Sequence, residues 1–129
     1  MKTREEIIQR CKDKGACMGE FIKLLAAKND NEFWCVLMTN YIWCKCNNIF
    51  DERPDKIEFP KVFGGSLDLR GCNLAGVTLP NEIGGSLYLS GCDLAGITLP
   101  NEFGGSLDLR GCEIPNTEQF KKFKDIIIN

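Results

Sequence analysis

The chain has 129 residues, 43% hydrophobic and 26% charged, the proportions of an ordinary globular domain and not of a disordered or fibrous one. Its 16 Lys and Arg against 18 Asp and Glu leave a formal net charge of −2. That is too little positive field to hold a phosphate backbone, and too little negative charge to read at once as a mimic of one. There is no histidine, which removes the commonest general base and the Ser/His and Cys/His nucleophile pairs.

The first stretch, "MKTREEIIQR", is charged and has no apolar run of the kind a secretory signal carries. No stretch approaches the roughly 20 apolar residues that span a bilayer. The expectation is a soluble, cytoplasmic protein with no membrane partner. Thr3 followed by Glu6 is a capping-box pattern and predicts a helix start, with Ile7, Ile8 and Cys11 on its apolar stripe. A second helix is predicted from about Ala16 to Lys28, with Cys17, Phe21, Leu24 and Leu25 inward. "KNDN" reads as a turn in which Asn29 or Asp30 caps a third helix over residues 31–47. That helix carries Phe33, Trp34, Leu37, Met38, Tyr41 and Ile42 on more than one side, so it is expected to be buried.

A charged, proline-bearing linker at residues 49–56 leads into a repeat. "GGSLDLRGC" at residue 64 returns as "GGSLYLSGC" at 84 and as "GGSLDLRGC" at 104, a period of 20 residues. "IEFPKVFGGS" matches "VTLPNEIGGS" and "ITLPNEFGGS", so a partial unit opens the array near Ile57. Fixed-period self-similarity predicts stacked coils. Each coil reads L-x-L-x-x-C-x-L: Leu67, Leu69, Cys72, Leu74, then Leu87, Leu89, Cys92, Leu94, then Leu107, Leu109, Cys112, Ile114. The alternation in "SLDLR" predicts a short strand with both leucines inward, and in-register stacking predicts a small parallel sheet. The glycine pairs mark corners. Pro115 and Asn116 end the array, and Asn116 with Gln119 is expected to cap a closing helix over residues 117–129, with Phe120, Phe123 and Ile127 covering the last coil.

The repeat resembles the leucine-rich repeat, whose signature is L-x-x-L-x-L-x-x-N/C-x-L. The 20-residue period and the "TLP" after each turn are similar to the short bacterial type, over residues 57–116. One departure is that the leucine expected three positions before Leu67, Leu87 and Leu107 is a glycine, the apolar residue (Phe63, Ile83 or Phe103) coming one place earlier. A second template stays open. "CNLAG", "CDLAG", "VTLPN" and "ITLPN" look like pentapeptide-repeat units, which build a square β-helix, although "EIGGS" and "EFGGS" centre on glycine. The stretch from Lys14 to Cys46 resembles a helical segment of phage and prophage proteins, which also carry "GGSLDLxG" repeats. The resulting expectation is an α+β chain. An N-terminal helical cap, residues 1–48, packs on a short leucine-rich-repeat-like parallel β-solenoid at residues 57–116, which the C-terminal helix closes.

The sequence offers little chemistry. No phosphate-binding loop or nucleophile-elbow motif is present; "GGSL" precedes a strand and recurs with the coil. Cys44 and Cys46 form a C-x-C after Cys35, but no second pair completes a zinc set. Cys72, Cys92 and Cys112 share one repeat position and are expected to form an inward ladder of reduced thiols. No metal, cofactor, small-molecule substrate or catalytic residue is expected.

The outward face of the predicted sheet carries Asp68, Tyr88 and Asp108 in one column and Arg70, Ser90 and Arg110 in the next. A neutral residue separates like charges in both, which avoids cross-strand repulsion. Tyr and Arg are also enriched at binding hot spots. The functional expectation is a non-enzymatic protein–protein interaction protein, phage- or prophage-derived by its resemblance, with another protein as partner and no nucleic acid. Two alternatives are a phage-encoded inhibitor of a host defence system, such as an anti-CRISPR, and a pentapeptide-repeat-like DNA mimic.

Overall fold

The structure, a computed structural model, describes residues 1–114, 118–123 and 126–128. Thr3 Oγ1 accepts from the Glu6 amide at 3.1 Å, and the Thr3 amide donates to Glu6 Oε1 at 3.2 Å. This reciprocal cap starts α1, Arg4–Asp13. α2 is Met18–Leu25, shorter than predicted, and leaves Cys17 and Leu25 exposed, not inward. Asn29 caps α3, Asp30–Thr39, by accepting from the Glu32 amide at 2.9 Å. The single helix predicted over residues 31–47 breaks at Asn40 into α3 and α4, Tyr41–Cys46. Asn40 Nδ2 donates to the Val36 carbonyl at 2.9 Å, and Thr39 Oγ1 donates to the same oxygen at 2.8 Å. Side chains thus occupy the acceptor that a continuing helix needs for its backbone.

Beyond the helices the chain winds through roughly three coils. The first carries β1 (Ile57–Glu58), β2 (Val62–Phe63) and β3 (Leu67–Asp68). The next carries β4 (Val77–Thr78), β5 (Glu82–Ile83) and β6 (Leu87–Tyr88). The last carries β7 (Glu102–Phe103) and β8 (Leu107–Asp108). Equivalent strands pair in parallel with a 20-residue offset, Leu67 opposite Leu87 opposite Leu107. Where the sequence predicts one small sheet, the structure forms three around the coil: β1-β4, β2-β5-β7 and a third that contains β3-β6-β8. The chain is therefore a helical subdomain joined to a short parallel β-solenoid.

The strands are short because the chain turns after each pair of inward residues. Leu67 and Leu69, Cys72 and Leu74, Val77 and Leu79 point inward in pairs five residues apart. The fourth side, at Ile83 and its flanking glycines, breaks that step. Leu67, Leu69, Leu87, Leu89, Leu107 and Leu109 are all at 0% exposure, and each such burial contributes roughly 1.5–3 kcal/mol. α3 lies across the open side of the first coil, against β1 and α2, and contributes Phe33, Trp34, Leu37 and Met38 to the same continuous core.

The closing segment differs from the expectation. In place of a helix over residues 117–129, α5 spans only Glu118–Lys122, and Ile127–Ile128 form a further strand, β9. β9 pairs in parallel with β8, Leu107 opposite Ile127, and completes the third sheet as β3-β6-β8-β9. The run Ile126-Ile127-Ile128 is β-branched throughout, which favours a strand over a helix. Phe120 is buried, and the Phe123 ring stands edge-on to Phe103 at 5.0 Å, so both still cover the last coil. Ile114, expected inward, is exposed. Asn116 lies outside the described residues. Among the described residues the Gln119 side chain bonds to the coil edge: its Nε2 donates to the Ile97 carbonyl at 2.6 Å and its Oε1 accepts from the Leu99 amide at 2.7 Å. The amide group stands where the backbone of a further coil would pair.

Asn31 performs the same task at the other end. Its Nδ2 donates to the Glu58 carbonyl at 2.7 Å, and its Oδ1 accepts from the Glu58 amide at 2.8 Å. Stacking also explains the glycine pairs. A Cβ on Gly84 or Gly104 would collide with the carbonyl of the glycine one coil earlier, whereas a Cβ on Gly64, which has no coil before it, meets nothing within 4 Å. Gly64→Ala should therefore change stability by less than about 0.5 kcal/mol, and Gly104→Ala should cost about 1–3 kcal/mol or more. Urea unfolding of the two variants checks this; equal stability would contradict the stacked register.

Candidate functional site

The strand alternation that sends Leu67 and Leu69 inward sends Asp68 and Arg70 outward. Asp68 and Arg70 then lie on one side of one strand, within reach of each other. Arg70 Nε donates to Asp68 Oδ1 at 2.9 Å, Arg70 Nη2 donates to Oδ2 at 2.6 Å, and the Arg70 amide donates to Oδ1 at 3.2 Å. Two coils further, Arg110 repeats the arrangement on Asp108, with Nε at 3.0 Å from Oδ1 and Nη2 at 2.7 Å from Oδ2. Such forked pairs fix a guanidinium in orientation as well as position. Between them lies Tyr88, half-buried, with the Arg70 guanidinium 5.9 Å from its ring centre. Ser90 is half-buried between the two arginines.

All six face residues expected from the sequence thus lie on one sheet face, and one correction applies. Asp108 is not a solvated outward carboxylate; it is 0% exposed. In register it stands between Tyr88 and Ile128 of β9, and its only ion-pair partner among the described residues is Arg110. The Arg110 guanidinium hydrogen bonds hold the Asp108 carboxyl below the usual carboxylate range, although burial works against this. Asp68 is lowered in the same way, first by Arg70. The Arg110 side chain is 63% exposed and Arg70 45%. The face therefore presents two anchored guanidinium groups and one aromatic ring.

Cys11, Cys35, Cys44, Cys72 and Cys92 are buried in the core. Burial pushes the Cys72 and Cys44 thiols up to about 12 and Cys35 to about 11. Cys92 is raised by the same cause, and its thiol donates to the Leu69 carbonyl at 3.1 Å. Cys72 and Cys92 are buried and unbridged, as the repeat position implies. Cys112 is unbridged but only half-buried, because it belongs to the last coil; its thiol donates to the Leu89 carbonyl at 3.1 Å. In the C-x-C, Cys44 is buried and Cys46 exposed. Among the described residues no three His, Cys, Asp or Glu side chains stand close enough to hold a metal ion.

Three features escape a reading of the sequence. The serines of "GGS" form a ladder in which Ser66 Oγ accepts from the Ser86 amide at 3.0 Å and Ser86 Oγ from the Ser106 amide at 2.9 Å. Arg53, in the linker, ties down the first turn by donating to the carbonyls of Asn73 and Ala75 at 2.9 and 2.6 Å. An open groove of about 840 Å³ runs between α3 and the first coil. Recurrence of the serine was a visible signal; Arg53 and the groove had none. Of the two tryptophans, Trp34 is buried and Trp43 half-buried. No helix is long and apolar enough to cross a membrane among the described residues.

The anchored carboxylates make stability depend on pH. Because folding lowers the Asp108 and Asp68 carboxyls, their contribution is fully present above the ordinary carboxylate value of 3.8 and is lost as pH falls through the lower folded values. Stability measured by urea titration should fall between about pH 4 and pH 2, and Asp108→Asn should show a smaller fall over that interval. An identical pH profile in the variant would contradict the assignment.

No family model, curated protein or solved structure matches the chain.

Proposed function

We propose that the chain is a non-enzymatic protein-binding module that docks a partner on the outward face of the third sheet, through Arg70, Tyr88, Ser90 and Arg110. The observation that carries this reading is the anchoring of Arg70 and Arg110 by Asp68 and Asp108 on either side of Tyr88. Arginine and tyrosine are enriched among the few residues that dominate binding at protein interfaces, and they bind best when little rotamer freedom is left to lose. Here bidentate pairs with Asp68 and Asp108 hold the two arginines in place before a partner arrives. Solenoids commonly bind along a sheet of stacked strands, since the repeat presents the same column at fixed spacing. The buried thiols, held neutral, offer no thiolate nucleophile, and the chain has no histidine to activate one.

The partner class includes the component of a host defence system suggested by the phage-like segments of the sequence. The alternative of a DNA mimic is less well supported, because each carboxylate on this face is matched by a guanidinium. Affinity capture from bacterial lysate with the intact protein, followed by titration of the captured partner, tests the face. Tyr88→Ala, Arg70→Glu and Arg110→Glu should each weaken binding by at least about 1 kcal/mol, and the arginine variants should alter its salt dependence. Unchanged affinity in all three variants would remove this face from the interaction, and a defence nuclease as partner would select the inhibitor reading.

A further inference from the structure

The two ends of the solenoid are not closed alike. At the downstream end Gln119 pairs with Ile97 and Leu99, and β9 pairs with β8. At the upstream end Asn31 closes the edge at Glu58. The upstream edges of β2 and β3 have no such closure. The directions of their backbone groups follow from the bonds made downstream, because the peptides of the described residues are trans and the N–H and C=O of a trans peptide point to opposite sides. The carbonyls of Lys61, Phe63 and Gly65 accept from the coil below, so the amides of Val62, Gly64 and Ser66 face upstream. The amides of Leu67, Leu69 and Gly71 donate to the coil below, so the carbonyls of Ser66, Asp68 and Arg70 face upstream. Among the described residues none of these upstream groups has a backbone or side-chain partner.

Of these residues Gly64, Ser66 and Asp68, together with Lys61, Phe63 and Gly65 of the same edge, line the groove of about 840 Å³ between α3 and the first coil. Its charged lining is Glu20, Glu32, Glu58 and Asp68 against Lys23 and Lys61. Lys23 is paired with Glu20 at 3.3 Å and Asp68 with Arg70 at 2.6 Å, which leaves Glu32 and Glu58 against Lys61. The groove therefore combines a strand edge with an excess of carboxylate. We infer that it receives an extended peptide segment of a partner protein, which adds a strand to the β2 and β3 edge and carries Lys or Arg at alternate positions. Main-chain bonds supply the affinity in this mode and alternate side chains the selectivity. A second copy of the chain fits less well, since its edge strand β9, paired on one side with β8, carries Ile127 and Ile128 and no positive charge.

Amide hydrogen exchange on the intact protein tests this. In the free protein the Val62, Gly64 and Ser66 amides should exchange quickly, and those of Leu67 and Leu69 slowly. A capped hexapeptide of alternating lysine and valine should slow the first three at least tenfold at saturation and leave the others unchanged. The same peptide with glutamate for lysine should give no protection. Glu58→Lys should weaken the lysine peptide at least fivefold, and Val62→Pro, which deletes one upstream amide, should weaken it without changing the Leu87 and Leu89 amides. Absence of slowing at millimolar lysine peptide, equal slowing by the glutamate peptide, protection already present in the free protein, or protection that rises with protein concentration alone would each overturn the inference.

Discussion

Each coil is held to the next by main-chain hydrogen bonds between residues about 20 apart, such as the Leu67 amide to the Ser86 carbonyl and the Leu87 amide to the Ser106 carbonyl, both near 3 Å. The rest of the structure depends on this register. Because equivalent residues are stacked, a leucine that points inward in one coil has leucines above and below it, and the core becomes a column. Because neighbouring parallel strands lie about 4.8 Å apart, the corners admit no Cβ, and glycine is required at Gly84 and Gly104. A slip of one residue would turn Asp68 and Arg70 into the core and Leu67 and Leu69 to water.

The same register creates the difficulty that the ends must solve. A stack of strands has two open edges, each with unpaired donors and acceptors. The chain closes them in two ways. β9 supplies real backbone to β8, and the side-chain amides of Asn31 and Gln119 each supply one donor and one acceptor at the spacing of a peptide group. A carboxamide suits this use because it is chemically a peptide bond without the chain. The helical subdomain fills the first coil with Phe33, Leu37 and Met38, yet α3 stands away from β2 and β3. The face that presents Arg70, Tyr88 and Arg110 and the groove beside it are both consequences of where closure stops.

Much of the solenoid was legible because a repeat writes each structural requirement more than once. The inward leucines, the outward Asp-x-Arg pairs and the corner glycines recur at one position, and Thr3 with Glu6 is a local signal that needs no tertiary partner. What was not legible depends on long-range contacts. Asp108 has the same neighbours in sequence as Asp68, and only the pairing of β9 beside β8 separates a buried carboxylate from a half-exposed one. Gln119 reads as a helix-terminal residue until the edge at Ile97 and Leu99 is known to be open. The break at Asn40 turns on whether an asparagine bonds to the carbonyl four residues back or points to solvent, which sequence periodicity does not distinguish. The three-sheet coil escaped because two-residue strands leave too short a pattern to separate from turns.

The coil is a modular unit stacked by register and closed by separate end devices. Inserting a second copy of residues 81–100 after Pro100 tests it directly. The new coil finds the same surfaces above and below, and Asn31 and Gln119 still meet the two ends. The urea dependence of unfolding should remain a single transition, with a larger slope, because more surface is buried in the folded state, and a midpoint no lower than that of the parent. A duplicated chain that fails to fold, or that unfolds with the parent's slope and a separately disordered insert, would contradict the account.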